Sequence, residues 1–318
     1  SNEKILSVLV KIVFKKTNIY DKTQVIYAID LVVKWFNKLQ NNYQYIPASF
    51  DYTFFNKCVK ILLDQDHLIL RTKCLWMIYK SLHLFPAEAK EELINMIVTK
   101  YFNKLFFNWS WNVRSLITHV LLYQLHFIHF ELLNIVNEKP KSEKKKEHTP
   151  KQAKFQSSIM RHLQKPKKQY MNNIDSDEEV QYEQKVSEEY EKIGILQQTD
   201  VIKKLKERMD EIQFLISHYT GNKSKTHKNK PKKFYTEEQE EEEMEEKTRY
   251  NKIMKKIPKN LLPYVEPAIM QFVNENKTYE SWADQSRSVI RSNKLLMVFD
   301  HLPEISLSVP VDESNIIA

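Results

Sequence analysis

The chain has 318 residues, 42% of them hydrophobic, a formal net charge of +8 and two glycines. A typical chain of this length has roughly 20 glycines, and glycine supplies the positive φ and the close backbone approach that hairpin turns and phosphate-cradling loops need. The composition therefore excludes a wholly disordered chain, argues against β-sandwiches and nucleotide-binding loops, and leaves an all-α protein as the expectation.

Residues 3 to 16 carry apolar side chains at helical spacing with lysines between them, the pattern of an amphipathic helix. Asp21 stands where a cap for a second helix belongs, and the apolar face of that helix runs through Val25, Ile29, Val32, Val33, Phe36 and Leu39. Further helices are predicted over about 51–63, 66–84, 88–106 and 109–137, with Pro86 at a boundary because proline suits a helix start and breaks a helix interior. A helical pattern begins almost at Ser1, which predicts a fragment of a longer chain with more helices upstream.

Shifting the chain by 43 residues lays Phe54, Phe55, Cys58, Val59, Leu62 and Leu63 on Ile97, Val98, Tyr101, Phe102, Leu105 and Phe106. The same register lays Leu70-Arg71 on Val113-Arg114. A period in the low forties with two antiparallel helices per unit is that of HEAT or armadillo-like repeats. Residues 1–137 are therefore expected to form a short stack of helical hairpins, the first two helices being a looser copy.

After Glu138 the composition changes. Residues 139–168 hold eleven Lys or Arg, among them Lys144, Lys145, Lys146, Lys165, Lys167 and Lys168. Such a run predicts a charged, disordered insert over 138–197, and its lysines are candidates for contact with anionic lipid or nucleic acid, or for nuclear import. Ser176, followed by Asp177, Glu178 and Glu179, is a candidate phosphosite. Residues 198–219 return to helical spacing and are expected to pack on the main body. A basic then acidic low-complexity segment covers 220–256, and a C-terminal helical hairpin with a tail covers 257–318.

Candidate sites are few. His119, His126 and His129 share about a third of a helix circumference, with Glu131 on another face. They lack a ligand spacing typical of zinc and predict a polar stripe towards solvent or a neighbouring helix. Arg71 and Arg114 are expected to pair between layers, with Asp66 at hand for Arg71. Trp109 and Trp111, two residues apart, cannot share one helix face. One is expected in the core and the other exposed as a partner anchor, because tryptophan is enriched at binding hot spots. Cys58 and Cys74 lack CxxC spacing and predict reduced core thiols, as in a cytoplasmic or nuclear protein.

The string Phe106-Phe107-Asn108-Trp109-Ser110-Trp111-Asn112-Val113-Arg114, followed by His119-Val120-Leu121-Leu122-Tyr123, resembles the conserved block of a domain family of unknown function found in fungi, slime moulds and amoebae. The likeness covers about residues 50–135, and its most specific part is Trp-Ser-x-x-Val-Arg. Asn108 stands where the block usually has histidine. The resemblance implies a helical, non-catalytic interaction module.

No Gly-rich phosphate loop, GxSxG, HExxH or paired CxxC is present. Neither an enzyme nor a cofactor is expected. The expected function is a scaffold or adaptor that binds protein partners; the alternative is peripheral attachment to an anionic membrane or to nucleic acid through the arm 139–168.

Overall fold

A computed structural model describes residues 4–42, 44–131, 199–225, 237–290 and 295–305. The six lysines named in the arm and Ser176 lie outside the described residues. The described residues are helical throughout their regular structure, with no strand among them. None of the helices they form is long and apolar enough to cross a membrane.

The chain begins with α1 (Ile5–Lys16) and α2 (Lys22–Asn41). The Asp21 side chain accepts from the backbone N–H groups of Thr23 and Gln24, two of the donors that a helix start leaves unmatched. Asp51 does the same for α3 (Tyr52–Asp64) through Phe54 N at 2.8 Å, and its carboxylate, also paired with Lys11, is held below its ordinary pKa by those bonds. α4 (Leu68–Ser81) follows. Pro86 then directly precedes α5 (Ala87–Asn95), which continues through a π-helical turn, Met96–Tyr101, into α6 (Phe102–Phe106). The next helix, α7 (Trp111–His119), also continues as π-helix, over Val120–Glu131.

The strongest helix–helix contacts run α2 to α4, α4 to α7 and α7 to α10 (Val265–Ile290), so these four form one row. α3, α5 and the π turn after it line the other side, with α8 (Asp200–Lys225) packed against α5, that turn and α10. Edge-to-face aromatic groups tie the layers. Phe36, Phe50, Phe55 and Phe85 meet at centroid distances of 5.3–6.1 Å. Deeper in the row, Tyr123 of the π segment meets Tyr79, Tyr279 and Trp282. Each such pair contributes about 0.5–1.5 kcal/mol beyond the area it buries.

In the C-terminal part the acidic low-complexity run takes a helical form, and the expected hairpin is corrected. The acidic run belongs to a helix, α9 (Glu237–Lys255), because its C-terminal turns pack: Ile253 is buried and Tyr250 stacks on His218 of α8. In place of a hairpin after residue 257, a 3-10 segment, Lys259–Tyr264, leads into the single helix α10, and a second one, Leu295–His301, follows it. The polar stretch from Asn274 to Lys277 contains no glycine or proline to break the helix, and its Glu275 is drawn in by Ser115 and His119 of α7.

Candidate partner-binding edge

The loops that join α1 to α2 and α3 to α4 border one hollow, and a third loop joins α6 to α7. Trp109 lies in the last of these loops and Trp111 opens α7. Both are exposed, 60% and 54%, which corrects the expectation that one of them enters the core. Core positions there are taken by Phe106, Phe107, Val113 and Leu116, all buried, and Trp109 precedes the helix altogether.

The backbone beneath the two tryptophans is held at several points. Asn108 Nδ2 donates to Lys104 O at 3.0 Å while its Oδ1 accepts from Ser110 N at 3.0 Å, so this buried amide splices the end of α6 to the start of α7. Arg114 Nη1 donates to Asn108 O at 2.7 Å and to Trp109 O at 2.9 Å. Its Nε donates to Gln271 Oε1 of α10 at 3.0 Å, and Gln271 Nε2 donates to Trp111 O at 3.3 Å. Burial lowers the pKa of Arg114 from its ordinary value.

Arg71 repeats part of this one hairpin earlier. Its Nη2 donates to Gln65 O at 2.8 Å, while Asp66 is 3.7 Å away and fully exposed. Arg71 thus ties the loop of its own hairpin, and Arg114 ties both its loop and the next layer.

The three histidines are buried, and of the two directions expected for the polar stripe, solvent or a neighbouring helix, His119 and His126 take the second and meet α10. His119 Nδ1 faces two acceptors, Ser115 O at 2.8 Å and Glu275 Oε2 at 3.0 Å, and therefore carries hydrogen. Burial lowers its pKa and the Glu275 carboxylate opposes that shift. His126 Nδ1 lies 3.2 Å from Tyr279 Oη, which donates to Glu131 Oε1 at 2.8 Å. Glu131 is also 3.7 Å from His126 and 3.1 Å from Arg287. Its placement on another face fails because the segment is π-helical: the i→i+5 winding sets residues five apart, 126 and 131, one above the other. His129 is buried, with its pKa well below the ordinary value through burial first and the nearby Lys90 second. Among the described residues no group of three or more His, Cys, Asp or Glu is arranged to hold a metal ion.

A buried polar ladder that sequence reading missed crosses the row. Asp300 Oδ1 accepts from Gln40 Nε2 at 2.8 Å, and Gln40 Oε1 accepts from His83 Nε2 at 3.0 Å. His83 Nδ1 then accepts from Gln124 Nε2 at 3.2 Å, which also donates to Tyr79 O at 2.8 Å. This arrangement requires neutral imidazole, in keeping with burial, which together with Lys90 pushes His83 down to about 3. Burial also lowers Lys90 to about 7. A signal for the ladder was available: Gln40 and His83 are 43 residues apart, as are Asp30 and Lys73, which pair at 2.9 Å.

Concave space is scarce near these groups. A cavity of about 10 Å³ between α6, α8 and α9, lined by Phe102, Arg208 and Ile253, has room for about one water. An open hollow of about 530 Å³ lies between the first two loops, among Asn18, Tyr20, Asp21, Gln65 and His67. Cys58 and Cys74 are free thiols, the second fully buried, and burial raises the pKa of both.

No curated protein and no solved structure matches the chain. Residues 6–125, which span α1 to the first half of the π segment and include the two-tryptophan block, match the model of an uncharacterised domain family described as "Protein of unknown function (DUF1765)".

Proposed function

We propose that this protein is a non-catalytic scaffold or adaptor, a stack of HEAT or armadillo-like hairpins that seats protein partners on the edge carrying Trp109 and Trp111. The observation that supports this reading is the exposure of both tryptophans above a backbone fixed by Arg114, Asn108 and Gln271. Large rigid side chains on fixed backbone lose little conformational freedom when a partner covers them, and such aromatics dominate binding energy at protein interfaces.

The test is quantitative affinity capture from cells, followed by binding of the purified partner to the wild type and to the Trp109→Ala/Trp111→Ala variant. The double variant is expected to keep its helical signal and to weaken binding by more than 2 kcal/mol, roughly 30-fold. Unchanged binding would overturn the reading. If instead deletion of residues 139–168 abolished binding, and binding by the intact chain fell steeply with salt, the lysine arm would be the binding element.

A further inference from the structure

α1 is apolar on two opposite sides. One side, with Ser7 and Val10 buried, closes on the stack, and Ser7 Oγ accepts from Asp51 N at the start of α3. The other carries Ile5, Val8, Leu9 and Ile12 at i, i+3, i+4 and i+7, a continuous stripe in which Val8 and Ile12 are 51% and 52% exposed. On α2, Tyr27, 70% exposed, and Leu31 lie on the side away from Val25, Ile29, Val32 and Phe36, which are buried. Lys11, Lys15 and Lys16 keep α1 from being apolar all round, and its outer stripe is an exposed apolar patch of the kind that marks interaction sites. In stacked hairpins a layer facing water carries a polar outer face; here the lysines of that face stand beside exposed Val8, Ile12 and Tyr27.

Charge selects what covers it. Lys4, Lys16, Lys34 and Lys38 are exposed around the stripe and have no ion-pair partner among the described residues. The acids of this region are already engaged, Asp30 by Lys73, Asp51 by Lys11 and Asp21 by the start of α2. A second copy laid face to face would set lysine against lysine.

We propose that the α1/α2 face docks a helical segment of a partner protein, apolar on the contacting side and edged with Asp and Glu. It lies on α1 and α2 as they lie on α3 and α4, extending the same row. The surface is distinct from the tryptophan edge, so either proposal can fail alone.

The test places a photoreactive phenylalanine analogue at position 8 of the full chain, expressed in cells, and maps the cross-linked peptide by mass spectrometry. The expected product is a peptide of another protein with apolar residues at helical spacing flanked by carboxylates. Its yield is expected to fall about fivefold in the Lys34→Glu/Lys38→Glu variant, which keeps the wild-type melting temperature because both positions are exposed. Four results would overturn the proposal: a cross-link to α1 or α2 of a second copy, a cross-link to any other segment of the same polypeptide, including helices upstream of Ser1, a yield indifferent to the charge reversal, or co-sedimentation with phosphatidylserine vesicles that Val8→Asp abolishes.

Discussion

Arg71 in the second hairpin and Arg114 in the third each donate to the backbone carbonyl six residues earlier, Gln65 in one case and Asn108 in the other. Beyond that bond they diverge. Arg71 Nε has no hydrogen-bond partner among the described residues, and its carboxylate neighbour Asp66 is at 3.7 Å in open solvent. Arg114 adds Trp109 O and, across the row, Gln271. A buried guanidinium stabilises a fold only insofar as its donors are matched, since each unmatched one retains its desolvation cost. One residue type in one register therefore contributes differently according to what the next layer offers it.

The sharpest way to break this comparison is Arg114→Ala. It strips two carbonyls and Gln271 of their donor and is expected to cost about 3–4 kcal/mol, read from the urea midpoint. An equal loss in Arg71→Ala would erase the distinction. Acid should act next, on both hairpins. His83 is neutral in the fold with its pKa lowered to about 3 from 6.5, so the unfolded chain binds the extra proton between those values. The stability it contributes is complete above about 6.5 and is lost as pH falls towards 3, by about 2 kcal/mol between pH 7 and pH 5. Urea midpoints across that range should slope more steeply in the wild type than in His83→Gln, and parallel profiles would count against the ladder. In the third hairpin the buried His129, also held well below its ordinary pKa, contributes in the same direction, as does His119, whose shift Glu275 opposes.

Arg71→Ala itself is expected to cost about 1–2 kcal/mol, the loss of one backbone hydrogen bond and some packing. Smallest of all, Asp66→Ala and the Trp109→Ala/Trp111→Ala variant should each stay within about 0.5 kcal/mol of the wild type in thermal unfolding, since those side chains are exposed. A large loss in the tryptophan variant would move those residues from binding to folding.

Much of the row was legible from sequence. Asp21 capping α2, Pro86 before α5 and the 43-residue spacing of Arg71 and Arg114 all follow from local chemistry and periodicity. Less legible was how the third hairpin winds. The apolar run from Val120 carries no strong helical periodicity to set its winding, so α-helical spacing put Glu131 away from His126, whereas π winding brought them to 3.7 Å. The tryptophans were mistaken in part for a similar reason: with α7 beginning at Trp111, Trp109 is a loop residue, and Val113 and Leu116 fill the core without either.

By itself the sequence determined the helical class, the places where helices start, and the repeated arginine, because these depend on contacts within a few residues or on a pattern that recurs. Only the tertiary structure decided that α10 lies against α7 and the π segment that continues it. That contact joins residues roughly 150 positions apart, through Gln271 to Arg114, Glu275 to Ser115 and Tyr279 to Glu131. Those polar groups have no local signature, and their pairing is favourable only once both helices have left water together.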